Sequence, residues 1–475
     1  MNFVGREQEL KLLQNWNQKS SRIAVIYGRR RVGKTRLVEE AFKNKIIVKF
    51  EGMEELNQNK QKKAFLQQLS SEFNSPELRD LTPKNWNGLL KLLSNYLGTT
   101  PCVVFFDEFQ WMAGDRNDLI SNLKFVWDNF FTKKNKIFLI LCGSVSSFMV
   151  KKVLRSKAFY GRVDLEINLP PLLLPAILKQ MFPKRSVKEI IELYMVVGGI
   201  PQYLKMIDLS NSIRLNIEQL CFTSNGYLVN EVDRILISHF GKNKVYRNIL
   251  FYLSNNWWGD RSEIGNACNI VSGGRLSDYL EELELAGFIE KYISIDKPYG
   301  QRNARYRIID PYLIFYFNFI YPHLKKINQP GPPFPITHYL PDKKYKPWQG
   351  RSFERICHTH NRQISEKLGF GSVQYHSGSW FGKGKNNKKA QIDLIYIRAD
   401  NVITLCEIKF KSNKIGTDVI SEVERKINIL PNPKQHTIEK VLISLSEHSK
   451  LLLNEGYFHK ILTVKDIFHP GNVTK

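Results

Sequence analysis

The sequence contains no C-x-x-C pair: its six cysteines, at positions 102, 142, 221, 268, 357 and 406, are scattered singly. Cys102, Cys142 and Cys406 fall in apolar, strand-like runs and read as small core residues in a reducing cytoplasm, which excludes a disulfide framework. Cys357, His358 and His360 lie close together, but without a second ligand pair they do not make a structural zinc site. No apolar run approaches the ~18 residues that a membrane helix needs. The longest, around Ile137–Cys142 and Leu313–Ile320, are core-sized. Met1–Arg6 lacks the apolar core of a signal peptide, so a cytoplasmic protein is expected. Acids are scarce: 45 Asp and Glu stand against 70 Lys and Arg, a formal charge of +25 over 475 residues. That excess favours a polyanion, and without a membrane segment the expected partner is DNA. Low-complexity stretches are missing too, and the apolar content of 43% suffices for about three ordinary domains.

What is present begins with Gly28-Arg29-Arg30-Arg31-Val32-Gly33-Lys34-Thr35, which fits the phosphate-binding pattern G-x-x-x-x-G-K-[ST]. A strand-like run, Ile23–Tyr27, leads in, and a helical pattern (Leu37, Val38, Ala41, Phe42) leads out. Glycines let backbone N–H groups curl around phosphate oxygens at a positive helix end. Lys34 is expected on the β- and γ-phosphates of ATP and Thr35 on Mg²⁺, while the three arginines read as added attraction for phosphate. Cys102–Phe106 is a second buried-strand run, ending in Asp107-Glu108. Asp107 would join the Mg²⁺ shell and Glu108 would polarise the attacking water. The run Ile137–Leu141 delivers Ser144, either a polar sensor of the γ-phosphate or a small residue in a strand-end turn. Strands alternating with helices specify a parallel α/β sheet with its ligand at the carboxyl ends. Arg162 is either an arginine finger, in cis or across a subunit interface, or a solvated arginine.

From Leu172 to about Glu231 the pattern is helical, broken at Gly198-Gly199-Ile200-Pro201, as in a small lid. Lys244–Asn255, Arg261–Cys268 and Ser272–Ala286 then form three helical segments. Extended residues Phe288–Ile295 and Ala304–Ile309 follow, the order of a winged helix. Arg275 would face a major groove and Arg302 would lie on the wing. Such a shape also serves protein contacts, and Glu281, Glu282 and Glu284 dilute its charge. Prolines over 330–335, with Pro341 and Pro347, mark a linker.

Beyond Pro347, Glu354 lies in a helix marked by Phe353, Ile356 and Leu368. Strand-like Ser372–His376 leads to a tip, Gly378–Lys389. There Lys383, Lys385, Lys388 and Lys389, with Trp380 and Phe381, make either a DNA-gripping hairpin or a solvated basic loop. Ile392–Ile397 and Val402–Phe410 read as adjacent core strands. Asp393 and Glu407 can then meet on a Mg²⁺, with the Ile408 carbonyl as another oxygen ligand. Lys409 shares a strand face with Glu407 and can orient or help deprotonate the water that attacks a phosphodiester. Glu354 would complete the acidic cluster. Residues 341–475 hold 23 Lys and Arg against 13 Asp and Glu, which suits a polyanionic substrate.

Val4-Gly5-Arg6-Glu7, the Gly28–Thr35 loop, Phe106–Gln110, Cys142-Gly143-Ser144, Tyr160-Gly161-Arg162 and Gly198–Leu204 together resemble the archaeal-type P-loop ATPases of the STAND class, relatives of AAA+ proteins. Members of that family commonly carry a winged helix and then a restriction-endonuclease-like domain of the PD-(D/E)XK type. Glu354, Asp393, Glu407 and Lys409 match that signature, with Ile392 where a proline usually precedes the aspartate. The resemblance implies that Val4, Arg6 and Pro201 lie near the adenine and that Arg162 senses the γ-phosphate. The expected architecture is a multidomain α/β chain: a P-loop ATPase over 1–165, a helical lid over 166–238, a winged helix over 239–325, a linker over 326–347 and a nuclease-like domain over 348–475. The resemblance also implies a nucleotide-controlled switch, assembling as a homo-oligomer in one state, whose effector is a Mg²⁺-dependent DNA endonuclease in defence or in a mobile element. Two alternatives stay open: a DNA-binding regulatory ATPase, and a nucleotide-switched scaffold without cleavage.

Overall fold

The computed structural model describes residues 3–16, 20–114, 118–134, 136–270, 273–293, 304–330, 334–383, 389–411 and 413–468. Five N-terminal strands, β1 (Arg22–Tyr27), β2 (Ile47–Glu51), β3 (Cys102–Asp107), β4 (Ile137–Gly143) and β5 (Leu165–Asn168), form one sheet in the order β2-β3-β4-β1-β5. Every pairing in it is parallel. Parallel strands are covered on both faces, so their sequences run apolar without a break; β3 and β4 are buried at every position. Alternate residues feed opposite faces. Ala24, Ile26, Phe105 and Ile140 pack with Leu37 and Val38, while Ile23, Val25, Phe106 and Leu139 pack with Phe65 and Trp86. The expected boundary at residue 165 falls inside β5, so the sheet reaches Asn168.

The stretch expected as a lid follows, with helices Val187–Val197 and Ile213–Cys221. Next come helices Lys244–Asn255, Arg261–Cys268 and Gly274–Leu285, with a small antiparallel sheet of β6 (Gly259–Asp260), β8 (Ala304–Ile308) and β7 (Ile289–Ile293) in that order. Asp260 caps the second helix: its side chain accepts from Glu263 N–H while Glu263 reaches back to the Asp260 N–H. Within the Pro-rich stretch 326–347, residues 334–347 are more ordered than the composition suggests. They carry helix Ile336–Tyr339 and the start of helix Asp342–Thr359, which runs straight through Pro347. Burial of Ile336, Tyr339 and Trp348 holds them against the helical core.

The C-terminal sheet has the order β13-β12-β11-β10-β9, from β9 (Tyr375–Lys383), β10 (Lys389–Arg398), β11 (Val402–Lys409), β12 (Thr437–Ser444) and β13 (Lys460–Thr463). An antiparallel meander, β9-β10-β11, is thus joined to a parallel half, β11-β12-β13. The strand expected at Ser372–His376 begins at Tyr375 and continues into the expected tip. Trp380 is therefore buried in the sheet among Ala390, Ile392 and Leu405, not displayed on a loop. Among the described residues no helix is long and apolar enough to cross a membrane.

His360 fastens this last unit to the rest. It is fully buried, its Nε2 accepts from the Leu174 N–H at 3.0 Å, and its Nδ1 lies 2.8 Å from the Ile356 carbonyl. These partners select the neutral Nδ1–H tautomer, and burial pushes the imidazole down to about 4. Below about pH 6.5 the unfolded chain takes up a proton that the folded chain refuses until about pH 4, so stability is lost as pH falls through that window. The contribution is about 3 kcal/mol. In denaturant titrations the stability gap between the parent and His360→Gln is expected to narrow by that amount from pH 7 to pH 4.

Candidate functional site

The loop after β1 opens on Gly28, whose φ of 146° and contact with the Leu169 carbonyl leave no room for a Cβ. Gly33, at φ 94°, turns the chain into helix Lys34–Ala41. Lys34 is buried and curls into the loop, donating to the Gly28 and Arg29 carbonyls at 3.0 and 3.1 Å. Thr35 Oγ1 donates to Asp107 Oδ2 at 2.8 Å across from β3. A hydroxyl and a carboxylate side by side at a helix N-terminus suit a hydrated Mg²⁺ on a bound phosphate chain.

Glu108 has a left-handed backbone, φ 47°, the kind of conformation held at functional sites by its surroundings. Its N–H donates to Asp107 Oδ1, and its Oε2 accepts from Ser144 Oγ at 2.6 Å and Gln110 Nε2 at 2.5 Å. Ser144 therefore aims the Glu108 carboxylate. Gln110, which closed the Phe106–Gln110 motif without an assigned role, is the second residue doing so. The Val4–Arg6 segment also reaches this end of the sheet: Arg6 donates to the Val32 and Pro170 carbonyls, and Gly5 N–H donates to Gln180 Oε1. Pro201 opens the short helix Pro201–Leu204, which places Tyr203 beside the loop.

The three loop arginines do not point at the phosphate position. Arg29 is buried and forms an ion pair with Asp310, just past β8. Arg31 pairs with Glu231, whose Oε1 also accepts from Tyr203 at 3.0 Å. Arg30 reaches Glu54 at 3.4 Å in solvent. Arg162 lies elsewhere altogether. It makes two bonds of 2.9 Å to Asp128, and the neighbouring Asp164 N–H bonds Ile23 O at the amino end of β1. Roughly five residues of strand, about 16 Å, separate that end from Gly28. Within one chain Arg162 is no γ-phosphate sensor.

The C-terminal acids do converge. Asp393 on β10 and Glu407 on β11 are buried, and Leu394 pairing with Cys406 sets them opposite each other. Glu354 approaches from helix Asp342–Thr359. Burial, then the Glu407 charge, pushes Asp393 up to about 7; burial, then the Asp393 charge, pushes Glu354 up to about 8. Glu407 is neutralised instead: its Oε2 accepts from Lys426 Nζ at 2.6 Å and its Oε1 lies 2.8 Å from Lys409 Nζ. Lys409 also donates to Glu422 at 2.7 Å. Burial works to lower its pKa, but the charges of Glu407 and Glu422 win and hold it above the ordinary value, so it is a fixed cation rather than a base.

Among the described residues no three His, Cys, Asp or Glu side chains form a ready metal-ligand group. The expected set of Asp393, Glu407 and the Ile408 carbonyl is not assembled, because Glu407 is committed to lysines; the Ile408 N–H donates weakly to Asp393 Oδ2 at 3.4 Å. Half-buried Glu354 and buried Asp393 remain, the charge of Asp393 helping to raise Glu354, and a hard dication would take the place of the protons that their raised pKa values retain. They floor a cleft of about 710 Å³ walled by Trp258, Arg305, Phe381 and Arg425.

Arg275 is exposed at the start of its helix, but Glu281 on the same helix bonds Lys151 and Arg155 at 3.1 and 3.0 Å, docking it on the ATPase sheet's flank. Arg302, Lys385 and Lys388 lie outside the described residues, as do the side chains of Lys383 and Lys389.

Residues 3–207 match the family described as an ATPase domain predominantly from Archaea, and residues 316–426 match a family of archaeal and bacterial proteins of unknown function. The chain therefore carries a P-loop ATPase domain. An uncharacterized protein of Methanocaldococcus jannaschii is 29% identical over 419 residues, spanning 87% of this chain and 88% of its own length. An uncharacterized ATP-binding protein of the same organism is 46% identical over 46 residues, 10% of this chain and 78% of its own. Among solved structures, a Walker-type ATPase of Pyrococcus abyssi aligns at 20% identity and TM-score 0.47, over 66% of this chain and 96% of its own. With ATP as substrate, Glu108→Gln is expected to keep nucleotide binding, read with a fluorescent ATP analogue, while phosphate release slows by ~100-fold or more.

Proposed function

We propose that the chain is a nucleotide-controlled nuclease of the STAND switch type, with DNA as its substrate. The observation that carries the nuclease half is the convergence of Glu354 and Asp393, from one helix and one strand, on the floor of a single cleft, with Glu407 opposite Asp393 on the next strand and paired to Lys409. A dication held by Glu354 and Asp393 would supply Lewis acidity toward a phosphodiester oxygen and a more acidic water. The chain's own residues do the rest. Lys409, held charged by Glu407 and Glu422, would face the negative charge that develops on phosphorus oxygens. Arg305 and Arg425 attract the backbone of the strand.

Control is supported by the loop arginines. ATP binding draws Lys34 from the Gly28 and Arg29 carbonyls to the phosphates. Any shift of those carbonyls is felt through Arg29 at Asp310 and through Arg31 at Glu231. Helix Asp342–Thr359, which bears Glu354, lines a cavity of about 380 Å³ whose other wall is Gly28 and Arg29. The two sites are thus one helix apart.

The double lysine grip on Glu407 favours one other reading: a domain that holds DNA without cutting it. Plasmid incubated with Mg²⁺ and no nucleotide, ADP, ATP or a slow ATP analogue separates the two. Nicking that changes with nucleotide, that falls by ~100-fold or more in Asp393→Ala and Lys409→Ala, and that loses its nucleotide response in Lys34→Ala is expected. Binding without nicking in all four conditions would leave only the DNA-holding reading.

A further inference from the structure

The small antiparallel sheet of the winged helix does not look outward. Its third helix, the element that reads a groove in such folds, is docked through Glu281 and Glu282 onto Lys151 and Arg155. The opposite face, formed where β6 meets β8, turns toward the acidic cleft. There the Arg305 guanidinium lies 3.4 Å over the centre of the Trp258 ring and 6.0 Å from the centre of Phe381, which comes from β9 of the C-terminal sheet. The Trp258 and Phe381 rings are 6.5 Å apart and tilted by 60°. Next door, Arg355, the neighbour of Glu354, lies 4.6 Å over Trp257. The cleft is therefore lined by flat faces from two separate units, Arg305 stacked on Trp258 and Phe381 tilted beside them.

Flat faces of this kind recognise bases that have left their stack. A free base offers a π-face to an aromatic ring or a guanidinium plane, whereas a base inside a duplex offers only its edges to the grooves. Arg305, with Arg425 and Lys426, supplies charge for a backbone passing over the carboxylate floor. A cleft of about 710 Å³ between two folded units also has room for a few unstacked nucleotides rather than a length of double helix.

We propose that Trp258 and Arg305 of the winged helix, with Phe381, form one composite clamp, and that what it holds over Glu354 and Asp393 is single-stranded nucleic acid: an end, a flap or an opened stretch. This deepens the nuclease reading and rests on it for the identity of the cleft. The winged helix is then half of the substrate site.

The test is binding, so that it does not depend on cleavage. Fluorescence anisotropy of a short labelled oligonucleotide is measured with the full-length chain in EDTA, single-stranded and as the duplex of the same sequence. The parent is expected to prefer the single strand. Trp258→Ala should weaken that binding about 10-fold, from stacking worth ~1–3 kcal/mol per base, with duplex binding unchanged. Trp258→Phe should restore most of it. Arg305→Lys, which keeps charge but loses the planar face, should weaken it in the same direction, with the melting temperature of each variant recorded as a folding control. Preference for duplex, or equal losses on both forms, overturns the clamp. So does plasmid nicking whose KM for an opened substrate is the same in Trp258→Ala as in the parent, which would leave the nuclease reading standing. Strand-selective binding through Trp258 with no nicking in Mg²⁺ supports the clamp and removes the nuclease.

Discussion

A buried ion pair, Arg29 with Asp310, ties the nucleotide loop to the segment that follows β8. Both side chains are almost completely shielded from solvent, and the Arg29 guanidinium also lies 5.2 Å over Phe288. A buried pair is weak evidence for stability, yet losing one partner strands the other and costs ~3–5 kcal/mol. Asp310 in turn caps helix Pro311–Phe315 by accepting from the Leu313 N–H at 2.8 Å. The loop therefore cannot change shape alone. Arg31, Glu231 and Tyr203 repeat the arrangement toward the lid, so the loop is tethered in two directions by charges it placed there itself.

The unit of three helices and the β6-β8-β7 sheet stands between the nucleotide loop and the acidic cleft and meets both. Its third helix meets the ATPase flank through acids on lysine and arginine, and its sheet meets the acidic cleft through Trp258 and Arg305. Helix Asp342–Thr359 makes a shorter connection, with Glu354 at the cleft and Ser352, Arg355 and Ile356 in the cavity behind Gly28. A unit gripped on two faces transmits displacement only if both grips are specific, and each of these rests on charge or ring geometry rather than on apolar area alone.

Much of this was legible in local pattern. The Gly28–Thr35 spacing, the apolar run ending at Asp107 and the Glu407 and Lys409 alternation each report backbone geometry over a few residues; the structure puts the first two at strand ends and sets Asp393, mid-strand on β10, opposite Glu407. Lys426 was missed, although a signal existed: it falls in register with Val419 and Val423, and a lysine in a buried helical stripe calls for a partner charge. The 326–347 stretch misled because proline content reports chain stiffness, whereas burial of Ile336, Tyr339 and Trp348 decides order. For Arg162 the in-cis role fell away because local sequence does not say which end of a sheet a residue occupies.

Sequence alone determined where strands, the phosphate loop and the acids fall, since periodicity and glycine placement act over short range. Only the tertiary structure decided which charges meet. Arg29 and Arg31 found carboxylates 281 and 200 positions away instead of phosphate, and Glu407 found Lys426 as well as Lys409. Partner choice of that kind follows from which surfaces the packed elements bring together, and no local spacing encodes it.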